Sequence, residues 1–258
     1  MESISETTPE NSSRVDIFSR PEGEATQMLY RHLNNLSFGG EHTDNLMSWS
    51  SSLLFMITFA KWRCSQRCRD PSEVQICMVD TTKFPPGQFA RDMSLIQAYC
   101  NTSESSEQLE IQRFFGERLV ATWNDNGEYL SQGILHHAGR SSVTSLAQLT
   151  LDGLHVLYPE FADSFESSHW TARVMQLRST WGFEYTTIKL DIKRALGIAR
   201  ACFNRFDESN VAMLLLLFKN RKVWSQTGTG MLCFNHQIQG QSLMDSTRKP
   251  RANRHQGP

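Results

Sequence analysis

A chain of 258 residues, 39% hydrophobic and 21% charged, has enough apolar material for a sizeable core and room for one large domain or two small ones. Its net charge of −1 and its pI near 6.7 give no global attraction to DNA or to an acidic membrane, so no nucleic-acid and no membrane partner is expected. Six scattered cysteines (Cys64, Cys68, Cys77, Cys100, Cys202 and Cys233) match neither a disulfide framework nor zinc spacing, so reduced thiols and no metal are expected.

The first twenty residues have neither a basic n-region nor an apolar stretch, and the longest apolar run, residues 211–218, is too short to span a bilayer. The expected location is intracellular and cytoplasmic. Residues 1–12 are polar and read as a disordered tail. Val15, Ile17 and Phe18 predict a short strand ended by Ser19-Arg20-Pro21, because proline cannot donate to a ladder. Arg20 then stands at a strand end. Ala25, Met28, Leu29, Leu33 and Leu36 predict a helix over 24–36, broken by Gly39-Gly40.

A loop with His42, Thr43 and Asp44 leads into Met47-Ser48-Trp49-Ser50-Ser51-Ser52, a run of hydroxyls that ends where Leu53, Met56, Ile57 and Ala60 begin a helical repeat. The stretch reads as a strand turning into a helix, with Ser50 or Ser51 as the cap. Alternation then predicts a strand over 74–80, and Pro85-Pro86-Gly87 punctuates the chain. Helices are expected over 89–99 and 108–123. Asn124-Asp125-Asn126-Gly127 stops the second, and residues 128–135 read as a strand whose first residue is Glu128.

From Ser141 onward leucine-rich stretches predict helices near 146–157, 170–181, 186–206 and 209–224, packed on the first part because Leu214 to Leu217 are too apolar for a free surface helix. Residues 227–258 form a polar, partly basic tail. The expected organisation is a tail over 1–12, an α+β domain over 13–140, a helical region over 141–226 and a tail over 227–258.

An arginine at a first strand end, a Ser-x-Ser turn opening a helix and a glutamate opening a later strand form a set with a chemical meaning. Arginine grips phosphate or ribose, serine hydroxyls orient a sugar or a carboxylate, and a carboxylate stabilises an oxocarbenium-like centre as a glycosidic bond breaks. Ser48-Trp49-Ser50-Ser51-Ser52-Leu53, then Val79-Asp80-Thr81, then Glu128-Tyr129-Leu130 with Gly133, resemble a domain of unknown function common in filamentous fungi, itself similar to the ADP-ribosyltransferase fold of the cholera and heat-labile enterotoxin group. The likeness covers roughly residues 14–138.

The resemblance implies a split antiparallel sheet with helices, and NAD as substrate. It implies that Glu128 is the catalytic glutamate, that Ser48 orients it, that Arg20 is the nearest counterpart of the strand arginine, and that Ser50 and Trp49 line the NAD site. Trp49 replaces a threonine of the family, and its ring would fill part of a nicotinamide pocket. Asn126 replaces the first glutamate of a Glu-x-Glu pair, which removes the carboxylate associated with transfer to arginine. Arg20 comes one residue late, and a slip of one on a strand reverses the face. Two functions stay open: ADP-ribosyl transfer or NAD glycohydrolysis, with a protein acceptor as a possible partner, and an inactive scaffold of the same fold that binds a protein or a nucleotide.

Overall fold

A computed structural model describes residues 2–4, 16–34, 44–100, 106–120, 126–162, 170–224 and 231–234. The first half runs β1 (Glu2–Ile4), α1 (Glu22–Leu33), β2 (Leu46–Ser50), α2 (Leu53–Arg67), β3 (Gln75–Val79), β4 (Ala90–Arg91), α3 (Asp92–Tyr99), α4 (Ser106–Val120), β5 (Glu128–Gln132) and β6 (Ile134–His136). The second half continues with β7 (Ser141–Ser145), α5 (Leu146–Leu151), α6 (Leu154–Leu157), α7 (Trp170–Thr180), β8 (Tyr185–Thr187), α8 (Lys189–Cys202), α9 (Glu208–Leu216), β9 (Arg221–Trp224) and β10 (Met231–Phe234). The architecture is mixed, with helices around small sheets. Strands β2, β5 and β4 form an antiparallel sheet in that order, β3 pairs with β7, β1 pairs with β6, and β8 lies parallel to β9, whose other edge takes β10.

Among the described residues, two apolar cores account for this arrangement. The first gathers Ala25, Leu29 and Leu33 of α1, Leu95 and Ile96 of α3, Ile111 and Phe115 of α4, and Leu46 and Leu130 from the face of the β2–β5–β4 sheet that the helices cover. The second draws Leu54, Ile57 and Ala60 of α2 and Ile76 of β3 into one cluster with Leu146, Leu149, Leu154, Trp181, Ile198, Val211 and Leu215. Helix α2 therefore starts beside the first sheet and packs into the second core.

Several expectations are corrected by this packing. Residues 17–19 form a 3-10 turn rather than a strand: Asp16 Oδ1 accepts the Phe18 N–H at 3.1 Å, and only Ile17 is buried. Val15 lies outside the described residues. The helix expected over 89–99 begins at Asp92, because Ala90 and Arg91 pair with Leu130 and Tyr129 along the edge of β5. The strand expected over 128–135 is split at Gly133, whose φ of 66° turns the chain. The region 141–226 is not wholly helical. Residues 141–145 complete a two-stranded ladder with β3, and β8 and β9 flank α8 and α9.

Glu2–Ile4, within the stretch read as a polar tail, pair with Ile134–His136. Residues 5–12, like the basic stretch around Lys249, lie outside the described residues. The cap of α2 is Ser52, whose Oγ accepts the Phe55 N–H at 3.2 Å, in place of Ser50 or Ser51.

Candidate active site

In the β2–β5 ladder Ser50 stands opposite Glu128 and Ser48 opposite Leu130. Directly opposed residues share a face and neighbours alternate, so Ser48, Ser50 and Glu128 lie on one face, while Trp49 and Tyr129 lie on the other. Ser48 and Glu128 are diagonal neighbours on their face, a separation that a long side chain spans. Ser48 Oγ donates to Glu128 Oε1 at 2.7 Å. Leu46 and Leu130 on the same face enter the first core, so this bond sits where the apolar part of the sheet face gives way to polar groups. Ser48 is exposed and Glu128 half-buried.

The turn that delivers Glu128 is tied to the start of α2. Ser51 N–H donates to Gly127 O at 2.8 Å, and Ser50 Oγ donates to Asn126 O at 2.7 Å while accepting the Ser52 N–H at 3.0 Å. Gly127 has a φ of 62°, and a Cβ placed there would lie 2.0 Å from Ser51 Oγ. Glycine is needed at this position both for its backbone angle and for the closeness of the two segments.

Three helices contribute polar groups around the Ser48–Glu128 bond. From α4, one Arg118 nitrogen donates to Glu128 Oε2 at 2.8 Å and to Asp92 Oδ2 of α3 at 2.7 Å. Burial opposes the charge on Arg118, but Glu128 first and then Asp92 hold the guanidinium pKa above its usual value. Asp92 is almost fully buried, and burial raises its pKa above the ordinary carboxylate value even though Arg118 pulls the other way. From α1, His32 Nε2 lies 3.0 Å from Ser48 Oγ. His32 Nδ1 lies 3.0 and 3.1 Å from the two carboxylate oxygens of Asp44, and the Leu46 N–H donates to Asp44 Oδ1 at 2.8 Å. The result is a continuous series: Asp44, His32, Ser48, Glu128, Arg118, Asp92.

The other residues singled out from the sequence are placed differently. Arg20 follows the 3-10 turn, and its guanidinium pairs with Glu24 at 3.8 Å. Trp49 faces away from Ser48: its Nε1–H donates to Ser131 Oγ at 2.8 Å and its ring meets Phe89 edge-on at 5.6 Å. Ser50 is on the face of Glu128, but its hydroxyl is engaged with backbone at Asn126 and Ser52. A cavity of about 570 Å³ opens at the other end of the sheet, lined among others by Ile17, Asn45, Leu46, Pro86, Leu130 and Gln132, and its lining includes neither Ser48 nor Glu128.

Sequence reasoning missed His32, Asp92 and Arg118, and it named Asp44 only as part of a loop. A polar residue inside an amphipathic helix carries no mark of its partner, because these contacts join positions 16, 26 and 10 residues apart. The usable signal was a histidine next to Leu29 and Leu33, two residues of the apolar repeat of α1.

Comparison of the chain with protein families, curated proteins and solved structures finds no match. Among the described residues, no group of three or more His, Cys, Asp or Glu side chains could hold a metal ion, and no helix is long and apolar enough to cross a membrane.

Proposed function

We propose that the protein cleaves the bond between nicotinamide and ribose in NAD, passing ADP-ribose to water or to an acceptor group on a protein, with Glu128 as the catalytic residue. The observation that carries this reading is the 2.7 Å bond from Ser48 to Glu128 on one sheet face, which is the relation between serine and glutamate that the motif resemblance implies. As nicotinamide leaves with the bonding electrons, positive charge develops on the ribose, and an aimed carboxylate stabilises it. When water is the acceptor, Glu128 takes its proton as the new C–O bond forms, giving ADP-ribose, nicotinamide and a proton. Arg118 holds the second carboxylate oxygen, so the charge has one fixed direction. An ADP-ribosyltransferase-like arrangement of the sheets and a cytoplasmic location, where NAD is available, belong to this proposal.

The Arg118–Glu128 ion pair, together with the pairing of Arg20 with Glu24, favours the second reading, a scaffold that binds a nucleotide or a protein without turnover. Nicotinamide release from labelled NAD separates the two. For the enzyme, Glu128→Gln lowers the rate by about 100-fold or more. An unchanged rate in Glu128→Gln refutes the role of the carboxylate, whereas no release by the wild-type protein, with an NAD analogue still bound, leaves the scaffold.

A further inference from the structure

His32 and Asp44 have no part in the sequence motif, yet both are buried: His32 Nε2 faces Ser48, and the Asp44 carboxylate faces His32 Nδ1. Asp44 is a carboxylate that accepts from the Leu46 N–H, and its oxygens face His32 Nδ1, so Nδ1 carries a hydrogen. At the other end, Glu128 pairs with Arg118 through Oε2, so it is an ionised acceptor, and the single hydroxyl hydrogen of Ser48 points at its Oε1. Ser48 Oγ can then only accept from His32 Nε2, 3.0 Å away. Nε2 therefore also carries a hydrogen whenever the Ser48–Glu128 bond is made. If Nε2 is bare, it competes for the Ser48 hydrogen and leaves Glu128 Oε1 without its donor.

We infer that His32, oriented by Asp44, is a positioning residue whose Nε2 proton decides whether Ser48 aims Glu128. The inference rests on the reading of Glu128 as the catalytic carboxylate and adds a pH-dependent control to that site. Charged and titratable groups reach His32 from each neighbouring element: Asp44 before β2, Glu128 of β5 through Ser48, Arg118 of α4 and Asp92 of α3 behind Glu128, and Glu110 of α4 on the adjacent Tyr30. A serine nucleophile activated by the same His–Asp pair is disfavoured, because the Glu128 carboxylate beside the hydroxyl opposes the negative charge of a tetrahedral intermediate.

Two side chains separate positioning from mere packing. In His32→Gln the amide reaches the place of Nε2 and still donates to Ser48 without titrating; in His32→Asn it reaches only the place of Nδ1 and serves Asp44 alone. The full-length protein is assayed for nicotinamide release across pH, and the His32 ring nitrogens are followed by NMR on ¹⁵N-histidine-labelled protein. The expected result is that gain of the Nε2 proton coincides with a limb of the wild-type pH profile. His32→Asn loses rate on the order of tenfold with KM for NAD unchanged, while His32→Gln keeps most of the rate and lacks the limb. Ser48→Ala and Glu128→Gln each displace the His32 titration seen by NMR.

Equal losses in His32→Gln and His32→Asn with the limb intact would overturn the inference, as would a His32 titration that neither Ser48→Ala nor Glu128→Gln moves. If the wild-type protein releases no nicotinamide but both variants displace that titration, the coupling stands and the assignment of Glu128 as catalytic falls.

Discussion

Gly127 shows how much of the site depends on one backbone position. Its carbonyl accepts from Ser51, its φ of 62° turns the chain into β5, and the space where a Cβ would go is occupied by the Ser51 hydroxyl. Gly127→Ala forces the left-handed conformation on a side chain at a cost of about 1–2 kcal/mol, and the Ser51 hydroxyl must rotate away. The expected outcome is a lower urea midpoint with an unchanged slope, and nicotinamide release, where present, reduced with it because Glu128 follows directly. At the same scale, Trp49 illustrates the strict alternation of a strand. Its neighbours Ser48 and Ser50 face Glu128, so its ring turns to Ser131 and Phe89 on the opposite side of the sheet.

Arg118 joins three elements, α4, α3 and β5, through one nitrogen. Removing it in Arg118→Met leaves the Asp92 carboxylate buried without its cation, a loss of about 2–3 kcal/mol after allowance for the partial exposure of Arg118. The sign of its pH dependence follows from Asp92, whose folded pKa is already raised by burial. A raised carboxylate contributes stability that is fully present below its unfolded value and is lost as pH rises through the folded one. Without Arg118 the rise is larger, so the deficit of the variant is greatest near neutral pH and shrinks as pH falls through the carboxylate range. Thermal melts from pH 4 to pH 7, as an order-of-magnitude window for carboxylate titration, check this; a deficit that grows on acidification contradicts it.

Across the whole molecule, the two cores explain why a boundary near residue 140 does not divide the packing. Leu54, Ile57 and Ala60 of α2 and Ile76 of β3 are buried against side chains from beyond residue 145, and β3 has its ladder partner in β7. Leaving a core leucine or isoleucine exposed costs about 1.5–3 kcal/mol, and a domain is stable by only about 5–15 kcal/mol, so losing these contacts together is comparable with the whole margin. A fragment of residues 1–140 is therefore expected to show no cooperative melt by circular dichroism. A sigmoidal transition in that fragment would show that the first core stands alone.

Local patterns in the chain determined several elements directly. The leucine and isoleucine spacing of 53–60 falls within α2, the alternation of 74–79 covers β3, and Gly127, the last residue of the stop read over 124–127, directly precedes β5; side-chain periodicity and turn chemistry act over such short spans. The juxtaposition of Ser48 with Glu128 was an expectation from the motif resemblance alone, and the structure makes that contact at 2.7 Å. Only the tertiary structure decided which groups surround that pair. It put Arg20 on Glu24, turned Ala90–Arg91 and residues 141–145 into strands by offering them an unpaired edge, and brought His32, Asp44, Asp92 and Arg118 together. The physical reason is that a strand partner or an ion-pair partner is set by which apolar faces pack together, and a polar side chain on a helix carries no sequence mark of the group it will meet across that contact.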